Sequence, residues 1–345
     1  MRFLLCTGII GCALAATAAA DTPANGIGSL SVSPDGRTVL AAAENRVVYV
    51  LDGQDLSVRE RIWIKVSPVW IRHVAGGRQV LVRGTQGELI AFDSEGFEEL
   101  WRVSRTAAVD HARAADQVVF AVRQGRNTII GVLDAASTET VASFDLGEMR
   151  VREVAISPDG GRITVLGVDD KRESEERQNP PAGLADLARE QFAQEHDQRG
   201  ARIVTIDVAS GQITAVDSWY SGKTVRGMAF AGDDTIVLAH GRNVARISPA
   251  GEVALIDTGA AFHYGAGLSA DGRRIYSGAL AQLNIKTLGS TGARAMALTD
   301  PLPGWPEYVV SFAEMPDGRL IAGTSAWRVV EISADLGAMR TVPVF

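Results

Sequence analysis

The sequence predicts an all-β chain, a seven-bladed β-propeller of four-stranded antiparallel blades with a partly helical insert in the fourth. Three observations lead there. A unit of roughly forty residues returns seven times, as in "SLSVSPDGRTVL" from 29, "VREVAISPDGGRITVLG" from 151, "AGLSADGRRIYSGA" from 266 and "SFAEMPDGRLIAGT" from 311. Leu, Val and Ile fall in runs of four to six, which suits buried strands better than helices. The pairs Asp35-Gly36, Asp159-Gly160, Asp271-Gly272 and Asp317-Gly318 supply the positive φ that tight hairpins need. A repeat of this period made of short strands is a propeller blade rather than a pair of helices.

The elements follow in chain order. Residues 1–20 read as an export signal: Arg2, the apolar stretch "FLLCTGIIGCALA" (3–15), then Ala18 and Ala20 as an A-x-A cleavage site before Asp21. The apolar stretch is short and rich in Ala and Gly, whereas a membrane span takes about 20 strongly apolar residues. The expectation is therefore a periplasmic or secreted protein with no transmembrane segment in the mature chain. "IIGC" (9–12) is similar to a lipobox, so acylation at Cys12 is the alternative to simple cleavage. Cys6 and Cys12 are the only cysteines, so export leaves a chain without disulfides, thiolate metal sites or thiol catalysis. The 34 basic residues less Arg2 stand against 41 acidic ones, a net charge of −8 that argues against a nucleic-acid partner.

Residues 21–345 then form one propeller domain, with blades at about 29–62, 68–104, 108–146, 151–219, 225–259, 263–299 and 308–344. Anchoring each blade on the third apolar residue before its turn gives Leu30, Ile71, Val109, Val154, Met228, Ala266 and Phe312. Within a blade, an inner strand such as "REVAIS" (152–157) precedes the turn and a second strand such as "TIVLAH" (235–240) follows. A third ends in an acidic turn, as in "RVVYVLDGQ" (46–54), and a weaker outer strand such as "FEELWRVS" (97–104) closes the unit. Blade 3 has only "RAADQ" (113–117) at its first turn.

Between blades 4 and 5 the anchor spacing widens to 74 residues, which places an insert at roughly 168–199. After Pro180-Pro181, Leu184, Leu187 and Phe192 recur at helical spacing and make a short apolar stripe. A stripe of about two turns is marginal alone in water, so it packs either on its own blade or on a protein partner.

The turns carry a resemblance. "S-P-D-G" leading into a second strand, and a third strand ending "h-x-h-x-D", resemble bacterial YVTN-type and WD-repeat-like propellers over essentially all of 29–344. Ala91, Asp93 and Trp101 in "AFDSEGFEELW" (91–101) are similar to one quinoprotein blade. The resemblance implies the fold and leaves the function open, because such blades serve enzymes, receptors and scaffolds.

Chemistry in a propeller belongs at the axial channel. One aligned column of inner-strand residues reads Ser31, Arg72, Asp110, Ala155, Ala229, Gly267, Ala313; the column two residues earlier contains Trp70 and Glu153. Small residues dominate, and Arg72, Asp110, Glu153 and Trp70 stand out on the adjacent blades 2, 3 and 4. A cation between two carboxylates reads either as a polar-ligand or acid/base site or as an ion-pair network of a wet channel. His73 and His111 align at a mostly apolar position and read as interface histidines rather than metal ligands. No H-E-x-x-H, G-x-S-x-G or EF-hand spacing occurs, so no catalytic residue, metal or cofactor is assigned. The expected function is an exported, non-catalytic binding or scaffold module that offers its channel mouth and charged insert to a protein partner in the cell envelope. The alternative is an enzyme or enzyme subunit: a lactonase-like hydrolase, or the propeller subunit of a periplasmic quinoprotein dehydrogenase.

Overall fold

The structure is a computed structural model that describes residues 26–169, 201–218, 225–239, 244–260, 262–299 and 306–344. Seven four-stranded sheets stand in a ring, each made of four consecutive antiparallel strands hydrogen-bonded in chain order. The inner strands are Ile27–Val32, Pro68–Val74, Thr106–Ala112, Met149–Ile156, Val225–Ala231, Gly265–Leu268 and Val309–Glu314. The anchors sit on them in one register: Leu30 pairs with Ala41, Ile71 with Val82, Val109 with Phe120, Val154 with Val165 and Ala266 with Ser277. The only helix among the described residues is the 3-10 turn Ala75–Gly77, and none is long and apolar enough to cross a membrane.

The repeated turn residues close the hairpins by hydrogen bonding. In blade 1 the Ser33 hydroxyl donates to Asp35 Oδ1 at 2.6 Å, Arg37 N donates to the same oxygen at 3.0 Å, and Thr38 N donates to Ser33 Oγ at 2.9 Å. Gly36 takes φ +71 beside them, the left-handed conformation a Cβ would penalise. Ser157 and Asp159, and Ser269 and Asp271, repeat the arrangement. Blade 3, which lacks the Asp-Gly pair, puts Asp116 itself in that conformation, at φ +49. The acidic ends of the third strands work the same way: Asp52, Asp93, Asp134 and Asp207 each accept backbone N–H groups two or three residues on. Their carboxyls are held below the usual range, chiefly by those backbone hydrogen bonds in Asp52, Asp93 and Asp134 and by the Ser210 hydroxyl in Asp207.

The core lies between blades rather than within one layer. Leu40, Val48, Ile71, Val80 and Ile90 join blades 1 and 2, and Ala121, Ile130, Val154, Ile163 and Val204 join blades 3 and 4. Polar braces add to them: Thr164 to Thr235 across blades 4 and 5 at 2.9 Å, and Arg274 to Glu314 across blades 6 and 7 at 3.0 Å. Blades 6 and 7 approach closely because residue 278 is glycine; a Cβ there would lie 1.9 Å from the Val309 carbonyl oxygen.

The ring closes between blades 7 and 1 without a shared strand. Ile27, Leu30, Ala41 and Tyr49 pack on Met315, Ile321, Trp327 and Val329, with Tyr49 and Trp327 edge-to-face at 6.3 Å. Ser311 Oγ donates to the Ile27 carbonyl at 2.5 Å, and Arg319 Nη2 to the Gly53 carbonyl at 2.9 Å.

In blade 4 the second strand, Arg162–Asp169, continues one residue beyond 168, and the third begins at Ala201. The expected insert helix, with Leu184, Leu187 and Phe192, lies outside the described residues, as does the export segment at 1–20. Chain order puts both attachment points, Asp169 and Ala201, at the end of the blade where the inner strand begins, since Asp169 pairs with Met149.

Candidate functional site in the axial channel

Six of the seven inner strands slip register by one residue near their start. The slips skip Gly28, Val69, Ala107, Arg152, Arg226 and Val310. A bulge sends two successive residues toward one side of the strand and breaks the strict alternation expected from the sequence. Gly28 with Ser29, Val69 with Trp70, and Val310 with Ser311 therefore line the channel together.

The channel is a cavity of about 1180 Å³ with walls from all seven blades. Arg72, Asp110, Glu153 and Trp70 all line it, on blades 2 to 4. On blades 5 to 7 the lining mixes small residues, Gly227, Ala229, Ala266, Gly267 and Ala313, with the larger Phe230, Tyr276 and Phe312 and the carboxylate of Glu314.

The four predicted residues occupy this cavity without forming the ion-pair network that one reading of them expected. Arg72 makes no hydrogen bond or ion pair among the described residues; its guanidinium lies 5.7 Å from the Trp70 ring centroid. Burial lowers its pKa to about 10, with repulsion from Arg113 adding and Asp110 opposing. Asp110 Oδ2 accepts the Ile156 N–H from blade 4 at 3.0 Å, so this carboxylate braces one inner strand to the next. Burial still pushes it up to about 6. Glu153 is 8% exposed and makes no hydrogen bond or ion pair among the described residues. Burial pushes its carboxyl up to about 7, with Arg83 opposing and the Asp110 charge adding.

The brace made by Asp110 recurs elsewhere. Ser29 Oγ accepts the Ile71 N–H at 3.0 Å and Ser31 Oγ the His73 N–H at 2.8 Å, from blade 1 to blade 2. Inner strands have one edge with no neighbouring strand, and these side chains satisfy its buried N–H groups.

His73 and His111 sit in blade interfaces. His73, 9% exposed, bonds Ser31 Oγ through Nδ1 at 2.9 Å, and burial lowers its pKa to about 4. His111 Nε2 meets Asp116 Oδ1 at 2.9 Å, and that same oxygen accepts the Ala75 N–H from blade 2 at 3.0 Å. Among the described residues no group of three His, Cys, Asp or Glu side chains is placed to hold a metal ion.

Sequence reasoning missed an aromatic group at the end of the channel where the inner strands begin. Tyr264 and Tyr308 stack at 3.9 Å with an interplanar angle of 25°, and Phe262 lies 4.9 Å from Tyr264. Both tyrosines line the cavity. They stand immediately before the inner strands of blades 6 and 7, outside the aligned columns, which is why the alignment passed over them. Arg113, just after the inner strand of blade 3, lines the other end.

No protein-family model matches the chain, and no curated protein sequence matches it. Among solved structures it is similar to Kuenenia stuttgartiensis hydrazine synthase, with a TM-score of 0.59 and 16% identity over 96% of this chain and 99% of that one. At that identity the likeness speaks for the fold alone.

Proposed function

We propose that this chain is an exported binding protein of the YVTN-type, WD-repeat-like kind, which takes a small polar ligand in its axial channel. The observation that carries this reading is the cavity itself: about 1180 Å³, lined on blades 2 to 4 by Arg72, Asp110 and Glu153 and elsewhere by a mixture of small and aromatic residues. A structural core would fill that space with side chains. The insert leaves the ring on the face where the inner strands begin, beside the channel end that holds Glu153, Tyr264 and Tyr308, and it supplies the surface for a protein partner in the cell envelope.

Two experiments test it. Ala229 is one of the small lining residues, and Ala229→Trp fills the channel while leaving every ionisable group in place. A small-molecule extract of the source cell envelope is expected to raise the melting temperature of the unaltered protein by about 3 °C or more and that of Ala229→Trp by less than ~1 °C. Equal shifts, or none in either protein, would reject the channel as the ligand site. Deleting 172–197 across a short Gly-Ser bridge is expected to keep the β-rich circular dichroism and a melting temperature within ~3 °C, because strands two and three of a blade need only a few connecting residues. An envelope protein that co-purifies with the full chain and is lost on deletion identifies the insert as the interaction element. Aggregation of the shortened chain would instead mean that the insert covers core.

A second reading is favoured by one observation: Asp110 and Glu153 share a cavity and both are pushed into the range about 6 to 7, where a carboxyl exchanges protons at neutral pH. On that reading the chain is an enzyme or enzyme subunit. It requires Glu153→Gln to abolish turnover while ligand binding persists.

A further inference from the structure

Arg72 and Glu153 line one cavity, are of opposite sign when ionised, and form no ion pair with each other or with any other group among the described residues. A buried charge without a partner is costly, and the usual remedy is an ion pair. Here the ring keeps the two apart: Arg72 is on blade 2, Glu153 on blade 4, and the carboxylate between them, Asp110, is occupied in bracing Ile156. Trp70 holds the guanidinium from one face and leaves its edge, the bidentate hydrogen-bonding side, unsatisfied. Glu153 is more than nine-tenths buried and offers two acceptor oxygens.

We propose that the channel ligand is a zwitterion of the amino-acid type, a free amino acid or short peptide whose carboxylate pairs with Arg72 and whose ammonium pairs with Glu153. The inference rests on the channel being the ligand site. A ligand with both signs discharges both unpaired groups at once; an anion alone would leave Glu153 as it is, and a cation alone would leave Arg72. The side chain of the ligand has Gly227, Ala229 and Gly267 on one side and the Tyr264–Tyr308 stack at the channel end, surfaces that take an apolar or aromatic group. The raised pKa of Glu153 fits a carboxyl that ionises fully only when a cation arrives.

The test is calorimetric titration of the full chain at pH 7.5 with four forms of the dipeptide Phe-Ala: free at both ends, N-acetylated, C-amidated, and blocked at both. The free dipeptide is expected to bind at least tenfold more tightly than either singly blocked form and more tightly again than the doubly blocked one. Arg72→Met is expected to abolish the preference for the free over the amidated form, and Glu153→Gln the preference over the acetylated form. Each variant is read only where its circular dichroism matches the parent; Arg72→Lys, which keeps the charge but not the fork, is the milder substitute and is expected to lose part of the same preference. Tighter binding of the acetylated form would make the site anionic-ligand only, and equal binding of all four would make it an apolar tunnel; either overturns the proposal. If none of the four binds while the envelope extract still stabilises the parent and not Ala229→Trp, the zwitterion assignment falls and the channel reading stands. If the extract also has no effect, both fall.

Discussion

Arg328→Met is expected to destabilise the protein by about 3–5 kcal/mol, the cost of leaving one partner of a buried ion pair alone. Glu307 is 1% exposed and Arg328 8%. Arg328 Nε donates to Glu307 Oε1 at 2.9 Å and Nη2 donates to the other carboxylate oxygen, so the pair is bidentate. Methionine keeps most of the buried volume, which isolates the loss of the charge from a packing defect. The carboxylate left behind must stay buried as an anion or take up a proton, and either outcome costs free energy at neutral pH. Urea unfolding at pH 7 gives the number, and the double variant Arg328→Met with Glu307→Gln is expected to recover at least half of it. A loss below ~1 kcal/mol in the single variant would mean that water reaches the pair.

The second large effect is in the pH dependence of stability. Glu153 titrates near its ordinary 4.5 in the unfolded chain and at about 7 in the folded one, because burial disfavours its anion. The folded state therefore binds the proton more tightly. Stability from this group is complete below about pH 4.5, falls as pH rises through the interval up to about 7, and is flat above it. Asp110, raised from 3.8 to about 6, slopes the same way. Glu153→Gln removes its share, and is expected to gain roughly 3 kcal/mol over the parent at pH 8 and little at pH 4.5, since each tenfold difference in proton affinity between folded and unfolded chain is worth about 1.4 kcal/mol. The turn carboxylates Asp35, Asp159 and Asp271 act in the opposite sense: held low by their hydrogen bonds, they lose stabilisation only as pH falls below about 3.8. Buried His73, lowered from 6.5 to about 4, slopes the other way across the same interval, losing stabilisation as pH falls, so the difference between parent and Glu153→Gln, rather than the parent curve alone, isolates the carboxyl. Urea midpoints of parent and variant at pH 4.5, 6 and 8 check this; parallel curves would show that Glu153 is fully hydrated.

The turns made the ring legible in the sequence. Ser33 with Asp35, and Asp52, Asp93, Asp134 and Asp207, bond within a few residues of themselves, so each blade carries its own local record of where strands stop. The channel was legible as a column of residues, and Arg72, Asp110, Glu153 and Trp70 do line it. What they bond to was not, because those partners lie on other blades. Asp110 meets Ile156 46 residues away, and Ser31 meets His73 42 residues away. The bulges were invisible for a related reason: a one-residue slip is a property of two strands, and alternation counted along one of them cannot reveal it. The Tyr264–Tyr308 stack likewise joins residues on two neighbouring blades, 6 and 7, that stand just ahead of their inner strands.

Closure between blades 7 and 1 by side chains alone has a topological consequence. Every boundary between blades is the same kind of joint, so the gap in the covalent chain is interchangeable with the loops that cross the other six. A circular permutant that links residue 344 to residue 26 and opens the backbone between blades 2 and 3 would ask the same packing to hold a different pair of ends. The ring encodes a cyclic order of blades, and the gene supplies only the point at which that circle is read.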